Sequence, residues 1–124
     1  MIDVPKFRKS LSYAFKGLKI LVVSENNARI HLVATAGVAV AGYFFDVTKN
    51  EWLWLALAVA LVWLAEAMNT AIEKLVDLVS PEYHPLAGQV KDLTAAAVLI
   101  TALFALLVAG IVFGGAVIQR LDFG

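Results

Sequence analysis

The sequence contains no cysteine, few prolines and little charge for its length. Its 124 residues include no Cys, 3 Pro and 16% charged side chains, whereas 61% of the residues are hydrophobic. Without thiols, the chain can form neither disulfides nor thiolate nucleophiles. Ten basic side chains balance ten acidic ones, so the overall charge gives no support for a nucleic-acid partner.

Several well-known motifs of group-transfer enzymes are also missing. The chain has no G-x-x-x-x-G-K-[ST] loop, no protein-kinase glycine loop and no G-x-S-x-G elbow. What it has in excess is apolar surface, because soluble domains are roughly 45–50% apolar. A soluble domain of this size cannot bury so much apolar surface. The composition therefore predicts one integral membrane domain over residues 1–124.

Three apolar stretches predict membrane-spanning helices, each of which needs about 20 residues. They cover roughly 28–46, 51–79 and 91–118. Helices are expected because backbone groups in lipid must bond internally, and no stretch alternates like a barrel strand. Residues 5–23 place apolar side chains on one helical face and lysines mostly on the other, which predicts an amphipathic surface helix. A helix docked on a soluble core would show the same pattern.

The positive residues predict the orientation in the membrane. Five of them precede the first predicted span, Arg29 lies at its start, one lies in the loop at 46–51, and Lys74 and Lys91 flank the second loop. The N-terminus and the second loop are therefore expected on the cytoplasmic side of a bacterial inner membrane.

Four polar residues share one face of the second predicted span. Glu66, Asn69, Glu73 and Asp77 are spaced by 3, 4 and 4 residues and fall within an arc of roughly 80°. Charged groups within a span are costly, so they are expected to face a bundle interior or a wet cavity and to be functional. Asp77 can equally emerge among the lipid headgroups, but Glu66 lies about 16 Å deeper along the helix.

Further charged residues are expected at the cytoplasmic ends of the spans. Glu25 follows the surface helix and can lie at the depth of Glu73. Mg²⁺ is usually held by one or two carboxylates together with waters and phosphates. Asp92 suits a helix N-terminus, whereas Lys91 at that end invites an anionic partner, either a phosphate or one of the acidic residues. These residues indicate a polar, metal-assisted site at the membrane surface and leave proton relay, ion passage and catalysis open.

The motifs resemble one known family, that of the prokaryotic diacylglycerol kinases and undecaprenol kinases. The resemblance is carried by E-A-M-N-T-A-I-E-K-L-V-D at 66–77, E-Y-H-P-L-A at 82–87, K-D at 91–92 and Y-A-F-K-G-L at 13–18. It covers nearly the whole chain, from about Phe7 to the third span. It implies an all-α membrane protein that forms a homotrimer with active sites shared between subunits and that uses ATP and Mg²⁺.

The resemblance also implies roles for individual residues. Glu66 matches the catalytic carboxylate beside the lipid hydroxyl, and Asn69 matches a polar active-site residue. Glu25 and Glu73 match the metal ligands. The residues that match nucleotide-binding positions are Tyr13, Glu25, Glu73, Glu82, Tyr83, His84, Lys91 and Asp92.

Two short segments bear on the identity of the lipid. Residues 29–31 (R-I-H) and 84–87 (H-P-L-A) look more like the undecaprenol kinase branch, whereas Glu82-Tyr83 is shared with the diacylglycerol kinase branch. That second branch tends to have acidic residues at the positions of His31 and Pro85. The expected reaction is therefore phosphorylation of undecaprenol to undecaprenyl phosphate, and the alternative is phosphorylation of diacylglycerol to phosphatidic acid.

Two non-enzyme alternatives are a proton-relay or transport subunit and an accessory protein with degenerate residues. A relay explains the acids within the second span. It does not explain why Glu25, Lys91 and a basic surface helix gather at one face, and the intact signature opposes both alternatives.

Overall fold

A computed structural model describes residues 1–123 and consists of four helices joined by short turns. They are α1 (Val4–Ser24), α2 (Asn26–Phe44), α3 (Lys49–Val79) and α4 (Pro85–Phe123). The described residues contain no β-strand, so the predicted all-α class is confirmed. The helix α4 begins six residues before the predicted start at 91. A proline is well suited to a first helical position, because its φ is preset and its missing N–H has no intrahelical partner there.

Local capping interactions determine where α1 and α3 begin. The Asp3 carboxylate accepts a hydrogen bond from the Lys6 backbone N–H at 3.1 Å. At the start of α3, Thr48 Oγ1 accepts from the Glu51 N–H at 3.1 Å, and Glu51 Oε1 accepts from the Thr48 N–H at 3.0 Å. This reciprocal pair is a capping box, which satisfies two backbone donors at the helix start. The chain reverses before it at Asp46, whose φ of 51° is left-handed.

The apolar core lies between the N-terminal half of α3 and the C-terminal half of α4. Its buried members are Val47, Leu55, Ala58, Val108 and Val112. A short turn joins α3 to α4, so the two helices run antiparallel and pack along their length. The core therefore occupies the end of the hairpin that is remote from this turn.

The end of α2 is fixed to the same core. A Cβ added at Gly42 would lie 2.7 Å from Trp52 Cζ2, so only glycine admits the indole at this position. Arg120 Nη2 donates to the Phe44 carbonyl at 3.0 Å, which satisfies one of the acceptors left free where α2 ends.

Two helices, α3 and α4, are long and apolar enough to cross a membrane. Only 11% of the most apolar stretch of α4 is buried within the chain, whereas the core helix of a soluble protein is mostly buried. This exposure favours a bilayer as the surrounding medium. The helix α2 does not meet the same criterion in its described residues, because Asn26, Asn27 and Arg29 occupy its first turn. The third span therefore stays a prediction.

The helix α1 places little of its apolar face against the rest of the chain. Leu21 near its end is buried, whereas Phe7, Leu11, Phe15 and Leu18 are exposed. A helix docked on a soluble core would bury these side chains. The exposed face instead suits the predicted position of α1 at a membrane surface.

Candidate active site

Three polar side chains are buried on successive turns of α3. Among the residues that the structure describes, Glu66, Asn69 and Thr70 are the buried polar ones, and Glu66 is only 1% exposed. Glu66 is also the largest fully buried side chain in that part of the molecule. Burial of a carboxylate costs free energy unless specific partners compensate. The burial therefore makes these three residues candidates for a functional site.

The buried polar atoms on α3 are incompletely bonded. Asn69 Nδ2 donates to Glu73 Oε1 at 3.4 Å, a long hydrogen bond. Glu66 Oε2, Asn69 Oδ1 and Thr70 Oγ1 are buried and have no hydrogen-bond partner within the described chain. Most buried polar atoms in proteins are paired, and those that are not call for an explanation. These three can accept hydrogen bonds from a hydroxyl or amine of a ligand.

A polar neighbour of Glu66 comes from α2, although it makes no hydrogen bond to the carboxylate. His31 Nε2 lies 3.4 Å from Glu66 Oε2, and the side chain of His31 is 18% exposed. From the sequence, His31 was expected only to distinguish the two lipid branches, and its position beside Glu66 was not predicted. The sequence could have indicated His31 as a site residue, because an ionisable residue inside an apolar helix is a candidate for function.

Glu25 lies at the junction of α1 and α2, where the backbone is extended. Its φ and ψ are −109° and 118°, and its side chain makes no capping hydrogen bond to α2. The Arg29 side chain instead covers the end of α1, because it donates to the carbonyls of Val22, at 3.1 Å, and Val23. The half-buried carboxylate of Glu25 thus has no local capping task.

The turn between α3 and α4 gathers four of the predicted nucleotide-binding residues. A cavity of about 210 Å³ is lined by residues that include Glu82, Tyr83, His84 and Lys91. Lys91 Nζ lies 2.6 Å from Asp77 Oδ1, so the anionic partner expected for Lys91 is Asp77 in this structure. Both side chains are substantially exposed, and such pairs contribute little to stability because water screens them.

Other predicted residues have different surroundings. His84 Nδ1 accepts from the Leu86 N–H at 3.1 Å and so contributes to the start of α4. Tyr13 is exposed on α1, with Lys16 Nζ 5.6 Å from its ring centroid. Asp92 is exposed in α4 beside Lys91.

The two predicted metal ligands are Glu25 and Glu73. Within residues 1–123, the structure contains no group of three or more His, Cys, Asp or Glu side chains arranged to hold a metal ion. A protein-built cage is therefore not present in that range. Mg²⁺ does not require one, because it commonly takes one or two carboxylates and completes its octahedron with waters and phosphates.

Comparison with known proteins decides the family. The prokaryotic diacylglycerol kinase family matches residues 12–113. This chain belongs to that family. The undecaprenol kinase of Bacillus subtilis is 31% identical over 111 residues, which cover 90% of either chain. The diacylglycerol kinase of Escherichia coli K12 is 36% identical over 99 residues, covering 80% of this chain and 81% of that one.

A third relative is similar to this chain over a comparable length. The diacylglycerol kinase of Helicobacter pylori is 37% identical over 105 residues, covering 82% of this chain and 80% of its own. The chain is therefore a lipid kinase, and the transport and accessory alternatives lose their support. The matched range contains every residue that the sequence interpretation assigned to the site.

Proposed function

We propose that the protein transfers the γ-phosphate of ATP to the primary hydroxyl of a membrane lipid, with undecaprenol as the preferred acceptor. The observation that carries this proposal is the buried carboxylate of Glu66, which keeps an unpaired acceptor oxygen within an apolar helix. A lipid hydroxyl that reaches α3 from the bilayer can donate to that oxygen. Glu66 then accepts the hydroxyl proton while the lipid oxygen bonds to the γ-phosphorus and the bond from that phosphorus to the bridging oxygen breaks, which releases ADP.

The neighbouring residues on α3 fit the other requirements of phosphoryl transfer. This chemistry depends mainly on positioning and on neutralising charge on the phosphates. Asn69 lies between Glu66 and Glu73 along the helix and can donate to a phosphate oxygen or to the attacking hydroxyl. Glu66 and Glu73 are about 10 Å apart along the helix axis, a distance that the acceptor and the terminal phosphate can span.

The carboxylates suit Mg²⁺ as the metal. Glu25 has no capping task and Glu73 is held only by a long bond to Asn69, so both are free to bind a cation. Bound Mg²⁺ supplies charge neutralisation for the phosphates. The role assigned to Glu25 and Glu73 is to hold the cation at the phosphates, about 10 Å nearer the cytoplasmic end of α3 than Glu66.

The α3–α4 turn is the proposed nucleotide site. Lys91 exchanges its exposed Asp77 partner for a phosphate of ATP. Glu82 and Asp92 carry negative charge, so they suit the hydroxyl and amino donors of the nucleoside better than its phosphates. Tyr83, His84 and Tyr13 supply further polar contacts and ring surfaces. The single domain over residues 1–124 thus holds both substrates at one end of the helices.

Charge and exposure support a proposed location and assembly. The basic residues before α2 and around the α3–α4 turn favour a site on the cytoplasmic side of a bacterial inner membrane, with α2, α3 and α4 as the expected spans. The low burial of α4 within one chain leaves apolar surface for lipid and for neighbouring copies. A homotrimer with active sites shared between subunits uses that surface.

Undecaprenol is favoured by residues 29–31 and 84–87, and an undecaprenol kinase, that of Bacillus subtilis, is among the relatives of this chain. Diacylglycerol is the second candidate, because Glu82-Tyr83 is shared with that branch and several diacylglycerol kinases are also similar to this chain. Both lipids present a primary hydroxyl at the interface, so the roles of the α3 residues are the same for either.

The proposal is tested by phosphate transfer from labelled ATP with Mg²⁺ in mixed micelles. Undecaprenol and diacylglycerol are offered separately at equal mole fraction, and Glu66→Gln is the control. We expect faster labelling of undecaprenol and loss of labelling in the control. Faster labelling of diacylglycerol would replace the favoured lipid by the alternative. Labelling of neither lipid would refute both acceptors.

A further inference from the structure

The contact between His31 and Glu66 joins two helices in the apolar part of the fold. His31 Nε2 lies 3.4 Å from Glu66 Oε2, and Glu66 is 1% exposed. A carboxylate in such surroundings is strongly attracted to a nearby N–H donor, because little water competes for it. His31 is thus an ionisable side chain from outside α3 that lies beside this carboxylate.

A second polar contact holds the same two helices in register. Thr35 Oγ1 donates to the His31 carbonyl at 2.7 Å, and Trp63 Nε1 donates to Thr35 Oγ1 at 3.0 Å. Thr35 lies one turn after His31, and Trp63 lies about one turn before Glu66. The two contacts are therefore stacked along the α2–α3 interface, and the Thr35–Trp63 bond supports the register in which His31 stands opposite Glu66.

The length of the His31–Glu66 contact leaves the carboxylate able to react. Hydrogen bonds from N–H to oxygen are usually about 2.7–3.2 Å long, and this contact is longer. Glu66 Oε2 accordingly has no hydrogen-bond partner within the described chain. An imidazole at this distance restricts the rotation of the carboxylate without blocking its acceptor oxygen. Catalytic hydrogen bonds often tighten only when substrate is bound.

We propose that His31 is a positioning residue for lipid phosphorylation. Its Nε2–H holds Glu66 Oε2 toward the lipid hydroxyl, and the Thr35–Trp63 bond sets the helix register that makes this possible. The inference rests on the proposed role of Glu66 as the group that accepts the hydroxyl proton. It adds a residue of α2 to a site that is otherwise built on α3 and the α3–α4 turn.

The test compares His31→Leu with His31→Gln, each assayed for kcat and for KM toward ATP, and each checked by thermal unfolding. Leucine removes the donor, whereas glutamine retains an N–H at a similar reach. We expect His31→Leu to lower kcat by about 10- to 100-fold, as seen for residues that orient reactive ligands. We expect an unchanged KM for ATP, and a kcat for His31→Gln within about fivefold of the unmodified protein.

The register contact has a matched control. Thr35→Val removes the hydroxyl that accepts from Trp63, and we expect a smaller fall in kcat than for His31→Leu. Thr101 Oγ1 makes the same kind of bond to a carbonyl of its own helix, that of Val98 at 2.8 Å. Thr101→Val is therefore expected to keep kcat within about twofold.

Three outcomes would overturn the inference. A normal kcat for His31→Leu beside an inactive Glu66→Gln would reject His31 and leave the proposed function intact. Equal loss of kcat in the leucine and glutamine variants, with equally lowered unfolding temperatures, would assign His31 a structural role. Full activity of Glu66→Gln would remove the role of Glu66 and with it the role of His31.

Discussion

The two halves of α3 pack against different parts of the chain, and they differ in the polarity of the side chains that they bury. The first half contains the capping box of Thr48 and Glu51 and buries Leu55 and Ala58 against α4. The second half buries Glu66, Asn69 and Thr70, and its polar contacts reach α2 and the start of α4. One helix therefore carries a packed apolar half and a polar half with unpaired buried atoms.

This difference is expected if the apolar half of α3 provides stability and the polar half provides the proposed chemistry. Apolar packing at one end compensates for buried polar groups at the other, where strain and unsatisfied groups are typical of functional sites. Changes in the first half should therefore affect unfolding more than catalysis, and changes in the second half should do the reverse.

Among the residues near Glu66, Glu73→Gln is expected to have the largest effect on the rate of phosphate transfer. Removal of a proposed Mg²⁺ ligand should lower the rate of phosphate transfer by about 100-fold and raise the Mg²⁺ concentration needed for half-maximal rate. The measurement is the initial rate across a Mg²⁺ titration. Glu51→Gln is the matched control, because it makes the same change in the other half of α3 and glutamine can still complete a capping box. An unchanged Mg²⁺ dependence of Glu73→Gln would contradict its role.

The packed half is tested by Leu55→Ala. Leu55 is 2% exposed, so truncation leaves a cavity and should lower the free energy of unfolding by about 2–5 kcal/mol. We expect kcat below the unfolding temperature to stay within about threefold of the original value. Leu57→Ala is the control, since Leu57 is 46% exposed and its truncation leaves no cavity. Equal destabilisation by the two variants would show that the α3–α4 core is not where the structure places it.

A smaller effect is expected for Gly42→Ala, which adds a methyl group against the Trp52 indole. Overpacking of this kind should lower the free energy of unfolding by about 1–3 kcal/mol. Gly37→Ala in the same helix is the control, because a Cβ there meets no atom within 4 Å. Unfolding monitored by tryptophan fluorescence in detergent measures both variants. Equal stability of the Gly42→Ala and Gly37→Ala variants would show that α2 does not approach Trp52 closely at Gly42.

The smallest effect on stability is expected for Asp77→Asn. The Asp77–Lys91 pair is exposed, so screening by water and salt leaves it little influence on unfolding. We expect the unfolding temperature to be nearly unchanged at low and high salt, while the KM for ATP changes because Lys91 loses a competitor for phosphate. A large drop in unfolding temperature would instead give this pair a structural role.

Local patterns in the sequence predicted most of the helices. Apolar periodicity indicated α1, and long apolar runs indicated α3 and α4, because these signals depend only on neighbours along the chain. The start of α4 was missed because the string around Pro81 and Pro85 is also typical of a turn. Whether proline ends a loop or begins a helix depends on φ and ψ, which its identity alone does not determine.

The contacts between helices were less predictable. The spacing of Glu66, Asn69 and Glu73 placed them on one face, but it gave no information on which residue of α2 stands opposite. That pairing depends on helix register, to which the Thr35–Trp63 bond contributes. The partner of Lys91 was likewise left open between a phosphate and an acid, and the short α3–α4 turn brings it beside Asp77.

The central claim is that the buried carboxylate of Glu66 activates the lipid hydroxyl. The most direct measurement is the rate of phosphate transfer by Glu66→Gln at saturating ATP and undecaprenol, with the unfolding temperature of the same sample. We predict a loss of about 100- to 10,000-fold in kcat, the usual contribution of a general base, with an unfolding temperature equal to or above the original. A variant that folds normally and keeps its full kcat would contradict the claim.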